Sequence, residues 1–407
     1  MKLDRIANVS DARRLARRTL PAVIFDYIDG AADDEVTMRE NERAFEDVVF
    51  RPRMACSVPS PDLSTTVLGT SVDLPVLLAP CGLVRAMHPD SAAGIARAAA
   101  SRRTVSVLST VAGAPVAAVA PEAPGRVWFQ LYSAGGRPVS EQLCGAAAEA
   151  GVRVLVVTVD TPTLGNRERD VHHGVATPLR IDAHNALRIG PQVLSRPAWA
   201  YRMVRDGLRI LGASRPSTAG VPRTTSGAVV SGLGKSPSDT AAERMLTMSA
   251  SPFSWEDIAW LRSVWNGALV VKGLLSGDDA KKAVDCGAEA VVVSNHGGRQ
   301  LDGAPATLQV LPEVVAAVGG AGSSTEVFLD GGVRRGSHVV KAVALGARAV
   351  LIGRPYLWGL AAGGQAGVER VLDLFYDEVQ RTMVLLGCAS VSDLAGEWLQ
   401  PGEPPGA

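Results

Sequence analysis

No apolar run in this chain is long enough to cross a membrane, although hydrophobic residues make up 47% of its 407 positions. An excess of charge is missing too. Lys plus Arg number 41 and Asp plus Glu 41, so no net field draws nucleic acid or an anionic bilayer to the whole surface. The five cysteines, Cys56, Cys81, Cys144, Cys286 and Cys388, are scattered, odd in number and without a CxxC pair. That speaks against a disulfide framework and a zinc site and favours reduced thiols in a cytoplasmic setting. The first residues, MKLDRIANVSDARRLARRTLPAV, carry charge throughout and lack the apolar core of a secretory signal, so they are expected to belong to the fold. There is no GxGxxG after an early strand and no P-loop, which disfavours a Rossmann-bound dinucleotide or a nucleoside triphosphate as main ligand.

What is present from Leu74 onward is a repeat of short β-branched or apolar runs alternating with helical stretches. The runs are LPVLLAP, TVSVLS, RVWFQLY, RVLVVTVD, ALVVKG, EAVVVSN, TEVFLDGG and RAVLIGR. Eight βα units close a barrel, so the expected fold is an α/β (β/α)8 TIM barrel. Segments such as SAAGIARAAASR, SEQLCGAAAEAG, SGDDAKKAVDCG and GSHVVKAVALG read as the outer helices. QAGVERVLDLFYDEVQRTMVLLG puts Val368, Val371, Leu372, Phe375, Val379, Met383 and Leu386 on one stripe and is expected to close the fold. The organisation expected is a single barrel domain over residues 1–387, with an N-terminal helical cap over 1–70 and a C-terminal tail over 388–407. Residues 22–27 and 34–45 supply the short cap helices, separated by the turn at Gly30.

A connection over residues 174–252, after the fourth strand, far exceeds ordinary loop length. Its first half carries Trp199, Tyr201, Leu208 and Leu211 among several arginines. It reads as a helix packed on the barrel, or as a lid or interfacial element touching the inner face of a membrane. Its second half is rich in Ser, Thr, Gly and Pro and reads as a mobile surface loop.

In this architecture the reacting groups stand at the C-terminal ends of the strands. Those ends carry Gln130 and Tyr132, Thr158 and Asp160 with Arg167 following, Lys272, Ser294 and His296 with Arg299, and Asp330. Two arginines fit a bidentate carboxylate clamp, a histidine can take a proton near neutral pH, and an aspartate can orient it. A lone arginine or aspartate at such a position is more often part of a salt bridge. Together they imply an acidic substrate that loses a proton. DGGVRRG, residues 330–336, and IGRP, residues 352–355, combine glycines with arginines where barrels commonly bind phosphate. Flavin mononucleotide (FMN) is the leading candidate. Lys272 then suits the charge that develops at the N1 and O2 edge of a reduced flavin, with a Schiff-base lysine as the rival.

At SNHGGRQLDGAPAT, residues 294–307, the pattern becomes specific. With FDYIDGAADDE, APCGL, FQLY, TVDTPTLGNRERD, VVKG, DGGVRRG and IGRP in order, the chain resembles the FMN-dependent 2-hydroxy acid oxidase and dehydrogenase family from about Ser10 to near Gly387. Glycolate oxidase, lactate dehydrogenase and mandelate dehydrogenase are members. The resemblance implies that an L-2-hydroxy acid is oxidised to the 2-oxo acid, with His296 as base, Asp160 its partner, Arg167 and Arg299 the clamp, and Tyr27 and Tyr132 hydrogen-bonding the substrate. It places Pro80, Cys81, Gly82, Ser109, Gln130, Thr158, Lys272 and Ser294 around the flavin ring and ribityl chain. Asp330, Gly331, Gly332, Arg334, Gly353 and Arg354 follow at ribityl and phosphate.

Two departures bear on specificity. Val111 stands where glycolate oxidase has a tryptophan, which implies room for a larger side chain. Gly82 stands where several oxygen-using oxidases carry alanine, which leans toward a dehydrogenase passing electrons to a quinone or cytochrome rather than to oxygen. No haem domain is expected before the barrel, so a cytochrome partner would be a separate protein, and a homo-oligomer, most often a tetramer in the family, is expected. One rival is a peptide-modifying branch similar to the mycofactocin maturation enzyme, which acts on an amine-bearing peptide and has no need of both arginines. Another is a flavin-binding protein without turnover, against which the His296 and Asp160 pair argues.

Overall fold

The computed structural model describes residues 3–173, 190–213, 252–319 and 324–401. Eight parallel strands form a closed barrel: β1 (Val76–Leu78), β2 (Ser106–Ser109), β3 (Val127–Leu131), β4 (Val154–Thr158), β5 (Ala268–Leu274), β6 (Ala290–Val293), β7 (Glu326–Leu329) and β8 (Ala349–Ile352). Seven lie within one of the eight sequence runs, and β5 extends one residue, Leu274, beyond ALVVKG. Closure is made by β8 against β1, with Val350, Leu351 and Ile352 opposite Val76, Leu77 and Leu78.

Almost every strand residue is buried, yet the period of two survives because the two faces meet different partners. Leu77, Val107, Trp128, Val156, Val270, Val292, Phe328 and Leu351 fill the interior, with the Trp128 and Phe328 rings 5.9 Å apart. Their neighbours Leu78, Leu108, Phe129, Val157, Val271, Val293, Leu329 and Ile352 face outward onto the helices. Ser254 caps the helix that precedes β5 (Trp255–Val264) in a reciprocal box with Asp257, and Ser276 caps the helix after β5 (Gly277–Asp285) through Asp279.

The cap consists of α1 (Val9–Thr19), α2 (Ala22–Asp29) and α3 (Val36–Arg43). The turn between α2 and α3 crosses the C-terminal mouth of the barrel. Its Ala32 and Asp33 amides donate to the carbonyls of Gly298 (2.9 Å) and Asn166 (2.8 Å), and Arg13 and Arg169 grip Asp29 at 2.6 and 3.0 Å. In the long connection, α4 (Pro197–Ala213) and the residues just before it are tied to the loop after β1 and to the cap. Trp199 Nε1 donates to the Ala86 carbonyl (3.0 Å), and Arg196 to that of Leu20 (3.0 Å). The side chains of Leu208 and Leu211, and the Ser/Thr/Gly/Pro-rich stretch after α4, lie outside the described residues.

The closing helix α5 (Arg354–Leu386) begins directly after β8 and breaks at Gly363 and Gly364, so the stripe starting at residue 365 is its second half. The halves touch at Gly359 and Gly367, where a Cβ on Gly367 would lie 1.9 Å from the Gly359 carbonyl oxygen. Residues 388–401, expected as a tail, turn back onto the cap. Val391, Leu394 and Trp398 are buried there, and Leu399–Pro401 pairs antiparallel with Val48–Phe50.

Candidate active site

The strand ends and cap turn surround an open mouth of about 1040 Å³, part of it continuous with solvent. Tyr27, Pro80, Cys81, Gly82, Val111, Tyr132, Arg167, Lys272, His296, Arg299, Asp330, Gly331, Gly332, Arg334, Gly353 and Arg354 all line it. Ser109, Gln130, Thr158, Asp160 and Ser294 do not border the open space. They stand at the same strand ends, mostly behind the lining residues.

His296 follows β6 in a left-handed conformation (φ +58°), a strained geometry for a non-glycine residue that clusters at functional sites. Its Nδ1 lies 2.9 Å from Asp160 Oδ1, and its amide donates to Ser294 Oγ at 3.1 Å. Nδ1 is thus occupied and Nε2 is the nitrogen left for a ligand. Asp160 is largely but not wholly enclosed, its side chain 10% exposed. Burial by itself would raise its carboxyl, but the charges of His296 and Lys272 and the hydrogen bond to His296 prevail and hold it below the usual carboxylate range.

Lys272 owes its place to a bulge. The ladder between β5 and β6 shifts between Lys272 and Leu274, with Gly273 at φ +111°. A Cβ on Gly273 would come within 2.6 Å of Asp160, so glycine there lets the two strand ends approach. Lys272 Nζ donates to Ser294 Oγ (2.9 Å) and pairs with Asp330 Oδ2 (3.0 Å). Burial opposes its charge, yet Asp330 and Asp160 together raise it above the ordinary lysine value. A lysine held protonated is a fixed positive charge and a poor Schiff-base nucleophile, which removes that rival.

The arginines divide the labour. Arg299 Nη1 is committed to the Tyr27 (2.9 Å) and Gly30 (2.7 Å) carbonyls, and its guanidinium lies 5.3 Å from the centre of the Tyr27 ring. Arg167 is half-buried, its enclosed Nε without a partner, and burial followed by the nearby charge of Arg299 pushes it down to about 10. Positive charge of this kind favours an incoming anion. Burial raises Tyr27 and Tyr132 above the ordinary tyrosine value, so both keep their phenolic protons and can donate them.

On the other side of the mouth, Arg334 pairs with Glu42 at 2.9 Å, and Arg354 donates to the carbonyls of Asp29, Gly30 and Gly297. Burial, then the charges of Arg299 and Arg334, pushes Arg354 down to about 9. A Cβ on Gly332 (φ +76°) would sit 2.0 Å from the Asn41 carbonyl oxygen, so this turn exists only with glycine.

The residues fit a flavin phosphate. Buried Gln130 Nε2, Thr158 Oγ1 and Asp330 Oδ1 have no partner within the protein, the pattern left when polar groups serve a polar ring or chain. Sequence reasoning missed the apolar walls Ile28, Met87, Leu164 and Leu357, and also Thr161 and Gly297. Apolar residues have no chemical signature of their own. Their one signal is position, since Met87 and Leu164 fall a few residues from Gly82 and Arg167 in the same loops.

The family model for FMN-dependent dehydrogenase matches residues 16–401. The chain belongs to that family of FMN-dependent 2-hydroxy acid oxidases and dehydrogenases, and FMN is its cofactor. It is 41% identical to pre-mycofactocin synthase of Mycobacterium tuberculosis over 95% of this chain and 92% of the relative. With the L-lactate oxidase of Nostoc sp. it shares 39% identity over 96% of this chain and 97% of that one. Among solved structures, the monotopic membrane protein (S)-mandelate dehydrogenase superposes with a TM-score of 0.85 at 35% identity, covering 98% of this chain and 100% of that chain.

Proposed function

We propose that the protein oxidises an L-2-hydroxy acid with a bulky apolar side chain to the 2-oxo acid and passes the electrons to an acceptor other than oxygen. The observation that carries this reading is the convergence of the Asp160-bound His296 with two arginines on one mouth. Arg167 and Arg299 bind the substrate carboxylate, and Tyr27 and Tyr132 donate to the carboxylate and the C2 oxygen. Nε2 of His296 takes the proton, and Asp160 stabilises the imidazolium that results. Bound FMN supplies the two-electron acceptor. Lys272, anchored on Ser294 and Asp330, offers a fixed positive charge beside it. Cys81, Pro80, Gln130, Thr158 and Ser109 would face the ring and ribityl chain, and Arg334, Arg354 and the glycines after β7 and β8 the phosphate.

Support for a large side chain comes from Gly82, Val111, Met87 and Leu164, which leave the substrate side apolar and open. The family resemblance at Gly82 supports the acceptor assignment, and an alanine there would crowd the site, its Cβ 3.0 Å from Val111 Cγ2 and 3.4 Å from the Tyr27 hydroxyl. A panel of L and D lactate, mandelate and longer 2-hydroxy acids, assayed with a quinone analogue and with oxygen, tests this. Turnover of an L acid with the quinone analogue is the expected result; turnover of none of them contradicts it.

A second reading, a peptide-modifying flavoenzyme, is favoured by the likeness to pre-mycofactocin synthase. A carboxylate clamp with both arginines weighs against it, and flavin reduction by an amine-bearing peptide but by no hydroxy acid would establish it. Two finer features complete the proposal. Leu194, Tyr201 and Val204 are 80%, 65% and 62% exposed on the face of the α4 region turned away from the barrel, beside Arg205, which suits contact with the surface of an anionic bilayer. The family resemblance further supports a cytoplasmic homo-oligomer.

A further inference from the structure

His338 lies in the helix after β7 (Gly336–Ala344), outside the set of residues that face the mouth. Its ring is stacked on Phe45 of the cap, centroids 4.3 Å apart and planes within 9°. Phe45 is completely buried, and its carbonyl accepts from Lys341 Nζ at 2.6 Å, so the stacking partner is fixed to both cap and helix. The edge of the imidazole points back at the turn that precedes the helix. Nδ1 lies 3.3 Å from the Arg334 amide nitrogen and 3.3 Å from the Gly332 carbonyl oxygen. As one tautomer it accepts from Arg334; as the other it donates to Gly332. Either way the ring bridges the cap, through its face on Phe45, and the backbone of residues 332–334, through Nδ1.

We propose that His338 is a positioning residue for the FMN phosphate, acting through the backbone of the Gly332–Arg334 turn. The inference rests on reading that turn as the phosphate site. Burial, aided by the charges of Lys341, Arg334 and Arg335 and only partly opposed by the Gly332 carbonyl, pushes the imidazole down to about 4, so the ring is neutral at physiological pH. A neutral histidine can accept from Arg334 until an anion competes for that amide, then turn to Gly332 without loss of its stacking. A cation fixed there could only donate.

The test uses protein stripped of flavin and shown to regain its holoprotein spectrum with FMN. FMN and riboflavin, which differ by the phosphate, are titrated separately and followed by flavin fluorescence. His338→Phe keeps the stack on Phe45 and loses the polar edge. It should weaken FMN about tenfold, the equivalent of roughly one hydrogen bond, and leave riboflavin unchanged. His338→Gln, which can still reach the backbone, should recover part of the preference. Equal weakening of both flavins, or of neither, overturns the proposal and leaves His338 a packing residue. Arg334→Ala separates the two levels. If it abolishes the preference for FMN while His338→Phe does not, only the role of His338 fails; if Arg334→Ala leaves the preference intact, the phosphate reading of the turn fails with it.

Discussion

His296 and Arg167 have different jobs, and their variants should fail in different ways. Removing the proton acceptor with His296→Gln should slow reduction of bound flavin by a hydroxy acid about 10³-fold, with binding of an unreactive 2-oxo acid little changed. Arg167→Met keeps the bulk of the side chain but removes its charge. It should weaken 2-oxo acid binding roughly 10- to 100-fold, as read from perturbation of the flavin spectrum, because a charge-assisted hydrogen bond is worth about 1.5–3 kcal/mol. If both variants changed only binding, His296 would not be the base. At this scale the sequence was most readable where a polar residue interrupts an apolar strand end, as Asp160, Lys272 and His296 do. It was silent where the residue is apolar, as Met87 and Leu164 are, since their meaning depends on which loop folds beside which.

Among the elements, the turn after β7 has the least freedom. Gly332→Ala would drive a Cβ into the Asn41 carbonyl at an unfavourable φ, so the cap helix α3 or the turn must move. Two such penalties together should cost about 2 kcal/mol or more, visible as a lower melting temperature and poor flavin retention; a variant as stable as the parent would show that the cap does not brace this turn. The helix that follows carries its own pH signature. His338 stays neutral in the fold and gains a proton on unfolding between its ordinary value of 6.5 and about 4, so its contribution to stability is present above that window and is lost as pH falls through it. The melting temperature of His338→Phe should therefore decline less than that of the parent between pH 6.5 and 4. The eight strands were legible because each is a short β-branched run bounded by helical stretches. The break in α5 was not, since Gly363 and Gly364 read equally well as small residues inside a helix. Nor was the return of residues 388–401, which is a pairing with residues 48–50 far away in the chain.

For the whole molecule, no helix among the described residues is long and apolar enough to cross a membrane, and the bilayer contact proposed for the α4 region is one made from the surface. If the α4 region makes it, replacing Leu194, Tyr201 and Val204 with serine should abolish sedimentation with anionic vesicles while flavin content and turnover of a soluble acid persist; sedimentation of the variant equal to that of the parent contradicts the assignment. Balanced charge and scattered cysteines argue against a polyanion partner and a disulfide framework, but neither identifies a substrate, because the side-chain pocket is assembled from loops of separate strands and from the cap. The central claim is the oxidation of a 2-hydroxy acid by bound flavin, and an anaerobic single turnover tests it most directly. Mixed with an excess of L-mandelate or a longer L-2-hydroxy acid, the holoprotein should lose its visible flavin absorbance and yield one 2-oxo acid per flavin, with the D enantiomer inert and His296→Gln essentially unreactive. A flavin that stays oxidised with every hydroxy acid, or bleaches equally well without His296, would contradict the account.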